Sequence, residues 1–255
     1  MTTILFENEE VIAFDKPEGL ASIPERGTGE SLLTMLSTRF PEKLYVVHRL
    51  DKEVSGVILF ARNAVAHKHL NEQFSNREIK KIYVGLTHGV IRENRAVIDK
   101  PIRQFGSGRM GVDPERGKAS VTEFRVKERF RSHTLIDAYP YSGRRHQIRV
   151  HLYSIGHPIV GDLRYGDKEL QQDYGRLMLH GRSITFKLLS SEVVTVESPL
   201  PEGLKDFIKR IRKAPEGFRS NRGRDEKGSP DKKKLAVALT FLHLFYEVMD
   251  LVAKV

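Results

Sequence analysis

Two short apolar runs, residues 4–6 and 11–14, predict strands ahead of a turn at Lys16-Pro17-Glu18-Gly19. Residues 31–40 predict a helix, with Leu32, Leu33 and Leu36 spaced for one face. The run Gly56-Val57-Ile58-Leu59-Phe60-Ala61 is too continuously apolar for a half-exposed strand and predicts a buried one. Ala66, Leu70 and Phe74 recur every four residues and mark a helix ending near Asn76. Further strands are predicted at 81–90, 120–130, 134–139, 183–186 and 193–196. Residues 145–155 form an amphipathic helix with Ile148, Leu152 and Ile155 on one side, and Leu204, Phe207, Ile208 and Ile211 follow the i, i+3, i+4, i+7 rule. Many strands with interspersed helices, and no regular βαβ alternation, argue for an α+β fold.

The pattern stops at about residue 214. Residues 214–234 are rich in Arg, Lys, Gly and Asp and predict a basic disordered linker. Residues 235–255 resume a helical period: Leu235, Leu239, Leu242, Tyr246, Met249 and Val252 form an apolar stripe opposite Thr240, His243, Glu247, Asp250 and Lys254. The ionisable stripe makes a membrane span costly, so the expectation is an amphipathic helix that packs on this or another protein, self-association included. The domain reading is therefore a folded unit at 1–213, a linker at 214–234 and a helix at 235–255.

Composition changes the picture in two ways. Lys and Arg outnumber Asp and Glu by 43 to 33, with a sequence pI of about 9.7, which suits a polyanionic partner. Cysteine is absent, which removes disulfides and thiolate metal sites. The first residues lack a basic stretch followed by an apolar one, so a cytoplasmic location is expected.

Gly106-Ser107-Gly108-Arg109-Met110-Gly111 matches a dinucleotide fingerprint in letters only, because Pro114 and further turn-formers follow where a helix is needed. This stretch reads as a flexible basic loop, with Arg103, Arg109 and Arg116 either available to phosphates or simply solvated. His146, His151, His157 and Asp162 lack the spacing of a metal site and read as structural hydrogen bonders, so no metal is expected. Asp51 stands at the mouth of the predicted buried strand, where desolvation raises a carboxyl pKa unless a cation compensates. Taken alone it is either such a site or a surface ion pair.

Read together, the segments decide the matter. Val47-His48-Arg49-Leu50-Asp51-Lys52-Glu53-Val54-Ser55-Gly56-Val57-Ile58-Leu59-Phe60-Ala61-Arg62 resembles the catalytic motif of the RluA family of RNA pseudouridine synthases. Lys81-Ile82-Tyr83-Val84-Gly85 resembles that family's Lys-x-Tyr motif. Ser142-Gly143-Arg144-Arg145-His146-Gln147-Ile148-Arg149-Val150-His151, continuing through Gly161-Asp162 to Tyr165-Gly166, is similar to a third motif. Leu179-His180 and Lys16-Pro17-Glu18-Gly19 fit as well, so the resemblance runs in order over residues 4–212.

The resemblance implies the pseudouridine synthase fold, a mixed and mostly antiparallel sheet with flanking helices and loops around a central cleft. It implies isomerisation of specific uridines in ribosomal or transfer RNA, with the target base flipped out of its stack. Asp51 would be the essential carboxylate, Tyr83 the residue that stacks on the base, and Arg149 the partner of Asp51. Arg49 would fill the gap left by the extruded nucleotide, and His48, Ile148, Arg144 and His146 are further substrate-binding candidates. No cofactor and no obligate protein partner is implied. Val54, Gly85 and Gly181 stand where threonine, alanine and alanine are common in the family, which concerns local packing. An alignment starting at Ile4 leads to the expectation of a compact member without the small N-terminal RNA-binding domain. Two rival readings are a non-catalytic RNA binder, which needs no buried carboxylate, and a glycosidase, which usually needs a second catalytic acid.

Overall fold

The computed structural model describes residues 2–25 and 29–213, so the expectations for 214–234 and 235–255 lie outside the described residues. Strands β1 (Thr3–Glu7) and β2 (Val11–Lys16) lead to helix α1 (Leu32–Arg39), the short β3 (Tyr45–Val46) and β4 (Ser55–Ala61). Helix α2 (Ala64–Ser75) and β5 (Lys80–His88) follow, then β6 (Arg95–Asp99), β7 (Ile102–Gln104) and β8 (Met110–Val112). The second half holds β9 (Val121–Arg129), β10 (His133–Pro140), α3 (Gln147–Ser154), the single turn α4 (Lys168–Gln171), β11 (Leu179–Lys187), β12 (Val193–Glu197) and α5 (Glu202–Lys213).

The main sheet has the order β1-β2-β4-β11-β5-β10-β9-β6, with β12 beside β11 and β3 beside β4. All its pairings are antiparallel except β4 with β11, so the sheet is mixed and mostly antiparallel, as the motifs imply. The period-2 alternation of strands divides the apolar residues between two faces. Ile12, Phe14, Ile58 and Phe60 face a core that also takes Leu32 and Leu36 of α1, Ile148 and Leu152 of α3, and Leu204 and Ile208 of α5. Val11, Ala13, Val57 and Leu59 face a second core with Ala66 and Leu70 of α2 and Phe186 of β11. β4 is thus buried on both faces, which is why its sequence is apolar without alternation.

Helix starts follow local chemistry. Ser31 and Thr34 form a reciprocal capping box on α1, and the Asn63 side chain accepts the Ala66 N–H at 2.9 Å to start α2. α3 begins at Gln147, two residues later than predicted, because His146 takes a left-handed conformation (φ 56°) at its N-cap. At the parallel junction His180 pairs with Ser55 and Gly181 with Gly56. Gly56 has φ +123°, and a Cβ there would collide with the Gly181 backbone, so only glycine serves.

The structure differs from expectation in the middle of the chain. Residues 102–112 form a hairpin, not a flexible loop: Ile102 and Met110 are buried against Val150 and Tyr165, and Arg103 pairs with Asp113 at 2.7 Å. The glycine-rich stretch is the tip of this hairpin, where Phe105 N–H donates to Arg109 O. β3 and β7 are too short to show a period, and β6 exposes Val97, so neither periodicity nor burial marked them in the sequence. Residues 183–186 are the end of a longer strand, whose alternation is broken by a register shift between Gly181 and Ser183.

Candidate active site

Asp51 lies on the turn that enters β4. Leu50 and Val54 on either side of it are buried, and Val54 N–H donates to Asp51 O at 3.1 Å. The Leu50 backbone is pinned in both directions by Ser22 Oγ, which accepts its N–H at 3.1 Å and donates to its carbonyl at 2.8 Å. Lys16, fully buried at the end of β2, donates through Nζ to Pro17 O, Leu20 O and Lys52 O at 2.8, 2.7 and 3.2 Å. Burial pushes its ammonium down to about 8. One ammonium therefore closes the turn at residues 17–20 and ties it to the residue after Asp51.

Arg149 projects from the first turn of α3 and is 2% exposed. Its guanidinium forks onto Asp162, Nε to Oδ2 at 2.7 Å and Nη2 to Oδ1 at 2.9 Å. The remaining Nη1 donates to Asp51 Oδ2 at 3.3 Å and to Glu53 Oε2 at 3.2 Å. Burial opposes the charge on Arg149, but the Asp162 fork and the Asp51 charge outweigh it and hold the group above its ordinary pKa. Asp162 is anchored by its own turn, accepting the N–H groups of Arg164 and Tyr165 at 2.9 and 3.1 Å. The Tyr165 ring lies 5.3 Å from the Arg149 guanidinium.

The Tyr165 hydroxyl accepts the Met110 N–H at 3.2 Å and lies 2.7 Å from His146 Nδ1. His146 Nε2 stands 3.9 Å from Asp51 Oδ1, and that carboxylate favours the neutral tautomer with its proton on Nε2 and the Tyr165 hydroxyl donating to Nδ1. Burial and the charge of Arg149 push His146 down to about 3, in keeping with a neutral ring. Asp51 itself keeps partial access to solvent. Burial raises its carboxyl above the usual range, Arg149 draws it back, and the Glu53 charge raises it again.

Tyr83, on β5, pairs in register with Gly181 and Ala138. Burial first, and the Asp51 charge second, raise its phenol well above the ordinary value and keep it neutral. A methyl on Gly181 would stand 3.5 Å from the Tyr83 ring and 3.7 Å from Leu50, and one on Gly85 would stand 3.6 Å from Ile136. Both are ordinary contacts, so the alanines common in the family would fit here, and Val54 is simply core.

Asp51, Arg149 and His146 thus come together, and Tyr83 lies within the reach of Asp51's charge. Arg49 and Arg144 are exposed. Ile148 is buried in the main core, and His48 is committed elsewhere: its Nε2 accepts the Leu59 N–H at 2.9 Å and its ring lies 5.2 Å from that of Phe74. Burial holds His48 neutral, at about 3. Sequence reasoning passed over Asp162 and Tyr165 as site residues, although both stand inside the third motif. The four residues weighed as metal ligands have separate partners: His151 bonds Thr122 and Lys100, His157 bonds His88, and Asp162 holds Arg149.

Beside Arg149 and Glu53 opens a cleft of about 830 Å³ whose lining also includes Glu18, Arg109, Arg164 and Arg176, with Asp51 adjoining it through its bond to Arg149. No helix of the described residues is long and apolar enough to cross a membrane.

Comparison with known proteins gives this geometry its context. Residues 10–154 match the family model of RNA pseudouridylate synthase. An RNA pseudouridine synthase of Zymomonas mobilis is 36% identical over 211 residues, which are 80% of this chain and 96% of that protein. Ribosomal large subunit pseudouridine synthase C of Escherichia coli is 36% identical over 225 residues, 83% of this chain and 70% of that one. The solved structure of human RNA pseudouridylate synthase domain containing 1 superposes with a TM-score of 0.69 at 27% identity, covering 84% of this chain and 96% of that one. The chain belongs to the RNA pseudouridine synthases of the RluA type and is an isomerase that acts on RNA.

Proposed function

We propose that this enzyme converts specific uridines of ribosomal RNA to pseudouridine in the cytoplasm, with Asp51 as the reacting carboxylate. The observation that carries the assignment is the buried Arg149, fixed by Asp162, which turns its one remaining nitrogen to Asp51. A stacked uridine hides its glycosidic bond, so the nucleotide swings into the cleft before reaction. Asp51 then acts on the ribose, as nucleophile at the anomeric carbon or as the base that takes a sugar proton. Both routes need the ionised form that Arg149 favours. The N1 bond to the sugar breaks, the uracil turns while held, carbon 5 bonds the anomeric carbon, and the carbon 5 proton is exchanged for one on N1. Tyr83 supports the base through its ring, and its neutral phenol adds no charge beside Asp51. Exposed Arg49 and Arg144 take RNA outside the pocket, and neutral His146 presents its Nε2 proton toward Asp51.

Ribosomal RNA is favoured by the name of the Escherichia coli relative, whose printed substrate is the large ribosomal subunit. Mapping pseudouridines in ribosomal and transfer RNA from cells lacking this protein tests the assignment. Loss of one or more ribosomal sites is expected; loss confined to transfer RNA would overturn it. For residues 235–255 the apolar stripe supports self-association, and deleting them should lower the sedimentation coefficient. An unchanged coefficient would refute that role.

A further inference from the structure

Arg176 is the second buried guanidinium of the cleft, with its side chain 7% exposed. Two of its three nitrogens are bound to groups that cannot leave. Nη2 donates to Ser55 Oγ at 2.8 Å and Nε to Leu177 O at 3.2 Å. His180 Nε2 donates to the Ser198 carbonyl at 3.4 Å, so Nδ1 of this ring, which burial keeps neutral at about 4, accepts the Ser55 hydroxyl proton at 2.9 Å. The guanidinium is thus oriented by a chain running into the β4–β11 junction. Among the described residues the third nitrogen, Nη1, meets only Glu18 Oε2, at 2.6 Å. Glu18 differs in kind from the other partners: its side chain is 43% exposed, and it rides on the turn whose backbone is already held by Lys16 and by Gly19 N–H donating to Lys52 O at 2.8 Å. The carboxylate can therefore swing into water while the turn stays in place. Burial works against the Arg176 charge, so the group needs an anionic partner at all times.

We propose that Arg176 binds a backbone phosphate of the RNA strand in the cleft, and that Glu18 occupies that phosphate's place in the free enzyme. A phosphodiester oxygen has the same charge and hydrogen-bonding reach as the carboxylate it displaces. Glu18 thereby keeps a buried cation satisfied between turnovers and competes with weakly bound RNA. The inference rests on RNA as the substrate and is independent of which RNA is modified.

The test is a binding cycle with oligouridylate over a range of salt, using wild type, E18Q, R176M and E18Q/R176M, with R176K and E18Q/R176K alongside in case the methionine variant fails to fold. E18Q is expected to tighten binding about fivefold at low salt. R176M is expected to weaken it and to make the slope of log K against log salt shallower by about 0.7, the loss of one phosphate contact to a single strand. In the R176M or R176K background the E18Q gain should largely vanish. If E18Q tightens binding equally with and without Arg176, Glu18 acts only through general repulsion and the proposal is overturned. It is overturned equally if E18Q leaves affinity unchanged. Failure to find pseudouridine at any ribosomal site would instead count against the substrate assignment, leaving the binding cycle to stand or fall by itself.

Discussion

The segment that carries Asp51 and the segment that carries Asp162 hold their carboxylates by different means. Residues 48–56 place Asp51 between two buried apolar side chains, Leu50 and Val54, and run straight into β4. Hydrophobic burial of the neighbours fixes the turn and leaves the acid partly accessible. Residues 159–176 bury Ile159, Val160 and Tyr165 as well, and add to these a set of polar bonds. Gly161 N–H donates to Gln171 Oε1 at 2.6 Å, Gln171 Nε2 donates to Ile159 O at 3.2 Å, and Asp162 accepts the N–H groups of Arg164 and Tyr165. The first arrangement leaves open the carboxylate proposed to react, whereas the second fixes Asp162 so that Arg149 has a single orientation. The lesson is that the Asp51 carboxylate accepts one hydrogen bond, from Arg149, while that of Asp162 accepts four.

That contrast breaks most clearly at Asp162. Asp162→Ala leaves the Arg149 guanidinium buried without its fork, and a cost of about 3–5 kcal/mol is expected. Thermal denaturation should show a large fall in Tm, with activity lost even in the folded fraction, because Arg149 then swings to Asp51 or Glu53. A smaller blow to the same segment is Gln171→Leu, which orphans the Gly161 N–H, while the Ile159 carbonyl keeps the Asp162 N–H at 3.2 Å. It should cost about 1–3 kcal/mol by chemical denaturation, and kcat should fall more than KM rises.

The smallest effect sharpens the comparison from the Asp51 side. The folded-state pKa of Asp51 is raised, so the reactive carboxylate is lost as pH falls through a value above the ordinary 3.8. The Glu53 charge contributes to that rise and also shares Nη1 of Arg149. Glu53→Gln should therefore move the acid limb of the single-turnover rate to lower pH by a fraction of a unit, with little change at neutral pH. A shift to higher pH would show that Glu53 supports the Asp51 charge through Arg149 instead of opposing it.

Legibility followed the same division. β4, α2 and α5 were readable because periodic or continuous apolar residues report burial, and Asp51 was singled out at the mouth of β4; Arg149, on α3, was named through its motif. The hairpin at 102–112 is a backbone ladder of three pairs, and α4 and the turn at Asp162 rest on side chain to backbone bonds over a few residues; none of these is long enough to leave a period. His48 and Ile148 show the opposite error. They stand within site motifs, yet His48 is spent on capping the Leu59 N–H and Ile148 on filling the core. Sequence proximity to a reactive residue carries no information about which way a neighbouring side chain points. Arg176 was invisible for a further reason: its partners Ser55 and Glu18 are distant in sequence, and only the fold brings them together.

The central claim is that Asp51 performs the chemistry while the rest of the cluster holds it in place. Asp51→Asn tests it with three readings on one preparation: RNA affinity, Tm and pseudouridine formed in a single turnover. Burial disfavours the Asp51 charge, so removing it should leave Tm no lower than in the wild type, and RNA should bind about as before. Pseudouridine formation should fall to background. Turnover near the wild-type rate by the well-folded asparagine variant would contradict the account.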